Sequence, residues 1–427
     1  RRPTPLPCDR IFPVNWYSFF VAILFSYLSG KLLFPLLEWL GIYDIPNSRS
    51  VHKKKVLRMG GLIFISGYFA SLLYILFFQS PAITDSQFNG IVGILGGAVC
   101  ITILGAIDDL IDLHSTTKFL IQCVIAVMLC HFDIIIWEIS ILGMSLELGV
   151  FAIPFTVFWV VGVINAVNLM DGLDGLAAGL SFIILATLAL QQPNDLIVTM
   201  IIPGLLGGLL VFLRYNFHPA SIFMGDIGSL FLGYNLAVLS IVVISFKTAT
   251  LGMMAPVFLL GLPVVDTLLA IFRRAKAGKF VFAADKSHIH HQLLSLGVSH
   301  RNVVLILYLI CSTLAVVVHF GSQAGQNVSA MILFGTGLLI TVLIYSLVAL
   351  QKIFENGRVA GSKRGMKRAI SLYLKANSLH ELDHLCDKKI QELELEDLET
   401  ILLQIFYEKE PTLIHQFIQS IQTHEES

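Results

Sequence analysis

Apolar stretches of roughly 17–25 residues, the length that crosses a bilayer as a helix, recur through the first 350 residues of the chain. Nothing in hydrocarbon can bond an unpaired backbone N–H or C=O, so such stretches must close their hydrogen bonds internally. The expected fold is therefore all-α, a polytopic transmembrane helical bundle. About eleven spans can be marked on this pattern, at 16–38, 60–78, 89–107, 116–134, 150–167, 175–191, 196–213, 227–245, 249–271, 303–320 and 328–350. Hydrophobic residues make up 56% of the chain and charged residues 13%, about half the charged share of soluble domains. Lys31 within the first span is expected to snorkel or to face protein.

Orientation follows from the basic residues of alternating loops. One side, comprising 39–59, 108–115 with Lys118, 168–174, 214–226, 272–302 and the segment from 351, carries 23 of the 28 Lys and Arg. The other side carries Arg1, Arg2, Arg10 and Lys247. The expected N-terminus is outside and the C-terminus cytoplasmic. A membrane domain over 1–354 is followed by a small helical cytoplasmic extension over 355–427, basic at Arg358–Arg368 and then amphipathic. The chain begins at Arg1 rather than Met, so a truncated or trimmed start is expected, and the first apolar run is too long for a cleavable signal. Six scattered cysteines without a Cys-x-x-Cys pair imply neither a disulfide framework nor a zinc site. No basic stripe with interleaved aromatics suggests nucleic acid as a partner.

Five polar constellations interrupt the apolar pattern, and all five fall on or beside the basic side. Asp108, Asp109 and Asp112 close the third span; three like charges this near one another call for a divalent cation, a raised pKa or a basic partner such as Lys118. A solvated acidic helix end is the plain alternative. Asn165, Asn168 and Asp171 follow at one-turn intervals, and Asp174 lies in the same Asp-Gly-Leu-Asp-Gly turn. Amide and carboxylate oxygens projecting along one line suit Mg²⁺, which keeps several waters and prefers one or two carboxylates plus phosphate. A simple turn between helices is the alternative here. Phe223-Met-Gly225-Asp226-Ile-Gly228-Ser229 opens the eighth span, where Asp226 is either a site residue or a cap. Phe223 is suited to stack on a base or to sit at the interface. Asp266 lies inside the ninth span, a costly place that marks function by default, with an ion pair to Arg273 or Arg274 as the alternative. His288, His290 and His291 sit in the longest inner loop, where imidazoles can bind metal, bind phosphate or move protons. Arg58, ahead of Gly60-Gly61, belongs to a basic inner loop of the kind any membrane protein carries. Together these residues predict Mg²⁺-dependent phosphotransfer at the membrane surface, between a lipid-borne and a cytosolic substrate.

At these residues the chain resembles the polyprenyl-phosphate N-acetylhexosamine-1-phosphate transferases, over about 15–350. The resemblance is strongest to the undecaprenyl-phosphate GlcNAc-1-phosphate (WecA/TagO) branch, with the MraY translocases more distant. It rests on Asn165-x-x-Asn168-x-x-Asp171-Gly-x-Asp174-Gly-Leu176, on Phe223-Met-Gly-Asp226-x-Gly-Ser229 and on Asp285-Lys-Ser-His288-Ile-His290-His291. The resemblance implies transfer of GlcNAc-1-phosphate from a UDP-sugar, UDP-GlcNAc, to undecaprenyl phosphate with release of UMP, in a cell-surface polysaccharide pathway. It also implies Mg²⁺ as cofactor, with Mn²⁺ as a substitute, held by Asn168 and Asp226. Asp108 and Asp109 would form an acidic pair near the attacking phosphate, with Asp108 a proposed base. Lys118 would contact phosphate, Asp171 and Asp174 the nucleotide-sugar, Phe223 the uracil and the histidines phosphate or sugar. Arg58, Asn165 and Asp266 complete the expected substrate-binding set, and a homodimer is left open. The chain departs from the family pattern where Lys55 and Leu57 replace two prolines and Gln292 replaces an arginine. Another UDP-N-acetylhexosamine or UDP-MurNAc-pentapeptide is the alternative donor. A membrane transporter is the rival from another class, but its charges would sit near the bilayer midplane rather than at helix ends. A prenyltransferase would show Asn-Asp-x-x-Asp, which this chain lacks, and a lipid-binding scaffold has no need of clustered carboxylates.

Overall fold

In the computed structural model the described residues are 16–44, 55–79, 83–141, 144–191, 195–245, 254–276, 278, 288–295, 298–323 and 335–337. Helices account for nearly all of them: α1 (Trp16–Leu40), α2 (Gly61–Tyr74, continued by a π-helical turn Ile75–Gln79), α3 (Asp85–Ile111), α4 (Ser115–His131), α5 (Ala152–Met170) and α6 (Leu176–Gln191). They continue as α7 (Leu196–Asn216), α8 (Gly225–Ser245), α9 (Met254–Leu259), α10 (Gly261–Lys276), α11 (Ile289–Ser295) and α12 (His300–Gln323). Seven helical segments are long and apolar enough to cross a membrane, and α4 and α6 are shorter apolar helices. The predicted span at 328–350 and the extension at 355–427 lie outside the described residues, so the full span count and the termini do too.

Local chemistry explains where the helices depart from the predicted spans. Thr84 and Gln87 form a reciprocal capping box, which starts α3 at Asp85, and Asp112 ends it in a left-handed conformation at φ 52°. The predicted ninth span is broken between α9 and α10. Gly261 and Pro263 stand in the first turn of α10, where proline's missing N–H costs nothing but an uninterrupted helix would lose a bond. Two short antiparallel ribbons were not predicted. Tyr43–Asp44 (β1) pairs with Val56–Leu57 (β2), and Glu138–Ile141 (β3) pairs with Met144–Glu147 (β4). The alternating Glu138-Ile-Ser-Ile and Met144-Ser-Leu-Glu147 pattern around Gly143 carried the signal for the hairpin.

Helix α8 is the centre of the bundle. It is apolar on every face, and such a helix must be surrounded. Helices α3, α5, α2 and α6 pack around it, while α1, α2 and α7 form a second group on the side of α2. Lone polar side chains cross the helix contacts: Tyr234 Oη donates to the Ile94 carbonyl at 2.9 Å, Trp159 Nε1 to Ser240 Oγ at 2.9 Å, and Ser66 Oγ to Ser29 Oγ at 2.7 Å. The outer helix α1 leaves Phe20, Leu24 and Leu32 exposed, as a lipid-facing helix does. Lys31 is also exposed and places its ammonium 4.6 Å over the Tyr27 ring, so its charge is met by an aromatic face.

Small residues set the helix separations. A Cβ on Gly67 would meet Ser26 Oγ at 2.1 Å and the Ala22 carbonyl oxygen at 2.6 Å. Gly67→Val is therefore expected to force α1 from α2 and lower the unfolding temperature in detergent, with an overpacking penalty of about 1–3 kcal/mol. Gly162→Ala, which meets nothing within 4 Å, should leave that temperature unchanged or slightly raised.

Candidate active site

Chain alternation brings one set of helix ends together: the N-termini of α2, α4, α6 and α8 and the C-termini of α3, α5 and α7. Every expected site residue lies on one of these ends or on the α10–α12 segment. A cleft of about 430 Å³ opens here, lined among others by Arg58, Asn168, Asp171, Asp174, Phe223 and Asp226.

Asp226, in the first turn of α8, is the point of convergence. Asn168 Nδ2, on the last turn of α5, donates to Asp226 Oδ1 and, at 2.8 Å, to Ser229 Oγ. Arg58 Nη2 reaches Asp226 Oδ2 at 3.2 Å, and Lys118 Nζ stands 3.6 Å from Oδ1. The arginine arrives by a backbone splice: Phe223 N donates to the Leu57 carbonyl at 2.8 Å, Gly60 N to the Phe223 carbonyl at 2.8 Å and Gly61 N to the Met224 carbonyl at 2.9 Å. These bonds, with Arg58 N donating to the Ile42 carbonyl at 3.2 Å, hold the loop although Lys55 and Leu57 stand where the family pattern led us to expect prolines. Burial alone would lower the Arg58 guanidinium, but Asp109, Asp226, Asp44 and Asp108 outweigh it and raise it further, so it stays a cation.

The acidic pair divides into two positioning roles. Asp109, whose side chain has no exposed surface, accepts Asp226 N at 2.9 Å and Ile227 N at 3.0 Å, and pairs with Arg58 Nε at 2.8 Å. It caps α8 and does not line the cleft, a placement that departs from the expected acidic pair beside phosphate. Gly225 must be glycine twice over: its φ is +74°, and a Cβ would lie 2.5 Å from Asp109 Oδ2. Asp108 is 1% exposed; its Oδ1 accepts Leu113 N at 3.0 Å and its Oδ2 is bonded by Lys118. It therefore aims Lys118 toward Asp226. Asn165, one turn deeper than Asn168, donates to Gln122 Oε1 at 2.6 Å and to the Val161 carbonyl at 2.8 Å, so it faces α4 and does not share a line with Asn168 into the cleft.

Asp171 and Asp174, which also line the cleft, follow α5. Burial, then the neighbouring charges of Asp226, Asp109 and Asp174, push the Asp171 carboxyl well above the usual range. Asn216, which the motifs did not single out, accepts Gly175 N at 3.0 Å and donates to the Ile222 carbonyl at 2.9 Å, tying this turn to the loop before α8. Asp174 Oδ2 meets His218 Nδ1 at 2.7 Å and accepts Ala220 N at 3.1 Å, and the His218 ring stacks on His300 at 4.3 Å. Both histidines line the cleft and escaped the sequence reading, although His218 lies in an inner loop where any polar residue was worth weighing. Asp174, His218 and His300 offer ligand atoms within 4.8 Å of one another.

The histidine motif also splits. His291 lines the cleft, whereas His288 is buried with Nδ1 at 2.9 Å from Asp266 Oδ2, and Asp266 Oδ1 accepts Ile289 N at 3.0 Å. The carboxylate of Asp266 thus fixes α11, and its bonds run to this helix. His290, 1% exposed, packs on Gly172 and has a buried Nδ1 without a hydrogen-bond partner among the described residues. Burial first, then His291, lowers it to about 3.

Comparison with known proteins bears on this geometry. Residues 91–244 match the model of glycosyl transferase family 4. The chain is 41% identical over 299 residues, 68% of its own length and 81% of the relative's, to the Bacillus subtilis (strain 168) protein named "Probable undecaprenyl-phosphate N-acetylglucosaminyl 1-phosphate transferase". It is 34% identical over 317 residues (67% and 79%) to the decaprenyl-phosphate N-acetylglucosaminephosphotransferase of Mycobacterium leprae (strain TN). A phospho-N-acetylmuramoyl-pentapeptide-transferase of Thermoanaerobacter sp. (strain X514) is 32% identical over 314 residues (68% and 93%).

Two outcomes are expected from the site geometry. Gly225→Ala should cost as much stability as Asp109→Asn, because each breaks the same cap; thermal unfolding of the two variants and their double mutant should show strong non-additivity. The second concerns pH. An unfolded histidine takes a proton near 6.5 and folded His290 resists until about 3, so stability is complete above about pH 6.5 and falls as pH drops toward 3. Between pH 6.5 and 5 the loss is about 2 kcal/mol at one site, and amide exchange of α11 should register it in the native chain but not in His290→Leu. The matched family model, the relatives and the converging helix ends agree: the chain belongs to glycosyl transferase family 4, the polyprenyl-phosphate N-acetylhexosamine-1-phosphate transferases.

Proposed function

We propose that the chain transfers GlcNAc-1-phosphate from UDP-GlcNAc to undecaprenyl phosphate on the cytoplasmic face of a bacterial inner membrane, releasing UMP. The observation that carries this reading is the convergence of Asn168, Arg58 and Lys118 on the Asp226 carboxylate at the cleft floor. The relatives' printed names supply the sugar and the lipid class.

An oxygen of the lipid phosphate attacks the sugar-bearing phosphorus of the donor, a new P–O bond forms, and the bond to UMP breaks. Such a transfer needs positioning and neutralisation of charge more than covalent help from protein. A lipid phosphate is already largely ionised at neutral pH, so no base need be assigned. Asp108 holds Lys118 beside Asp226, and its ammonium would supply the counter-charge for an incoming phosphate. Arg58 supplies the second fixed cation, held by Asp109. Asp171, Asp174 and Phe223 lie on the wall suited to the nucleotide, and His291 suits phosphate or sugar.

The donor set fits a hard divalent ion by its oxygens: Asp226 and Asn168 both line the cleft, and because Asn168 bonds Asp226 through Nδ2, its amide oxygen is not used in that bond. Asp226 and Asn168 would hold Mg²⁺, or Mn²⁺ in its place, and the ion would neutralise charge on the donor's diphosphate.

Membranes containing the chain are expected to exchange labelled UMP into UDP-GlcNAc only when Mg²⁺ and undecaprenyl phosphate are both present. Asp226→Ala should lower that exchange by at least about 10²-fold, the scale for losing one preorganised electrostatic partner. Unchanged exchange in this variant would overturn the metal assignment. UDP-GalNAc and UDP-MurNAc-pentapeptide, assayed in parallel, should be poorer donors, and a clear preference for the pentapeptide would move the chain to the muramoyl branch.

A further inference from the structure

Asp174 is the cleft carboxylate held by an imidazole among the contacts of the described residues. Among the described residues its bonds fall on Oδ2, from His218 Nδ1 at 2.7 Å and from Ala220 N at 3.1 Å, which turns Oδ1 to a ligand. His218 comes from the loop after α7, and its ring is 45% exposed. An exposed imidazole on a loop has no rotamer of its own to keep, yet this one lies flat against His300, with ring centroids 4.3 Å apart and planes 20° from parallel. His300 is the first residue of α12, a long helix packed on α6. A further bond runs the same way, as Tyr308 Oη on α12 donates to the Gly175 carbonyl, beside Asp174 in sequence. The carboxylate is therefore held by the loop after α7, and that loop's imidazole is braced in turn by α12, although none of the polar sequence motifs includes His218 or His300.

We infer that His218, braced by His300, is a positioning residue that orients Asp174 toward the donor and so sets affinity for the nucleotide-sugar. This rests on the donor reading above. The chemistry recognised at Asp174 Oδ1 is a hydroxyl or N–H of the nucleotide portion, since an ionised carboxylate only accepts. A fixed carboxylate binds without having to give up rotamer freedom, which is where the imidazole clamp acts. Asp174 is bonded by His218 and Ala220, whereas Arg58 and Lys118 pair with Asp109, Asp108 and Asp226, so this clamp shares no bond with the groups assigned to the bond exchange.

Steady-state kinetics with UDP-GlcNAc and undecaprenyl phosphate varied separately, together with calorimetric binding of UMP, test the inference. His218→Ala should raise the donor KM and the UMP Kd about tenfold, while kcat and the lipid KM stay within about twofold. His218→Asn should restore donor affinity, because its amide nitrogen lies close to the place of Nδ1, whereas His218→Gln, whose amide reaches past it, should not. His300→Phe keeps the stacking face but loses the imidazole's hydrogen bond to the Asp174 backbone, so it should bind UMP better than His300→Ala, which should share the His218→Ala defect. Should His218→Ala fail to fold, the Asn and Gln pair decides. Equal impairment of Asn and Gln, or a fall in kcat or a rise in lipid KM with donor KM unchanged, overturns the inference. Donor affinity that drops on adding a zinc-selective chelator at constant Mg²⁺ overturns it as well, since Asp174, His218 and His300 would then be metal ligands. UMP binding that ignores every substitution overturns only this inference, whereas no UMP binding to the native chain overturns the donor reading with it.

Discussion

Asp109 accepts two backbone N–H groups from the first turn of α8 and pairs with Arg58, and through those three bonds α3, α8 and the loop before α2 become one rigid corner. A carboxylate with no exposed surface is costly unless every lone pair is used, and here a helix N-terminus and a guanidinium use them. The consequence reaches beyond stability. Asp226 is the residue whose own N–H is bonded, so the anchor fixes the backbone that carries the cleft's central carboxylate. Removing Asp109 would uncap the α8 terminus and leave Arg58 with its longer contact to Asp226, at 3.2 Å, in a crowded place.

Close approach of backbones makes that corner possible. A Cβ on Gly61 would lie 2.4 Å from Gly228 Cα, so the loop carrying Arg58 rests directly on the first turn of α8. The same contact explains why the glycines around Asp226 are more than flexible punctuation: they let the loop, the helix and the Asp109 carboxylate occupy adjoining space. Rigidity of this kind suits transfer between two phosphates, where the fixed charges must already stand in place when the reactants meet.

The site shows a division of labour among residues of one chemical type. Of the carboxylates, Asp108 and Asp266 are spent on other side chains, Asp109 on a helix end, and Asp226, Asp171 and Asp174 face the cleft. The three motif histidines divide in the same way, since His291 faces the cleft while His288 and His290 are packed inside. Spacing alone could not separate these roles. Asn165 and Asn168 are one turn apart, yet Gln122 on α4 captures the first, and that partner is 43 residues away. His218 and His300 are 82 positions apart and belong to no common pattern, so only folding reveals that they stack beside Asp174.

The helical membrane architecture, the gathering of polar groups at one set of ends and the family were legible in the sequence, because hydrocarbon permits only internally bonded segments and strands polar residues where the helices emerge. The motifs around Asn168, Asp171 and Asp226 lie at helix ends that line the cleft. Tertiary structure alone decided which carboxylates open on the cleft and which are held within the protein, and how the loop around Arg58 stays in place without prolines. It also broke the ninth span and joined His218 to His300. Those outcomes depend on contacts between distant segments, whose partners are set by packing around α8 and not by the residues next to them in the chain.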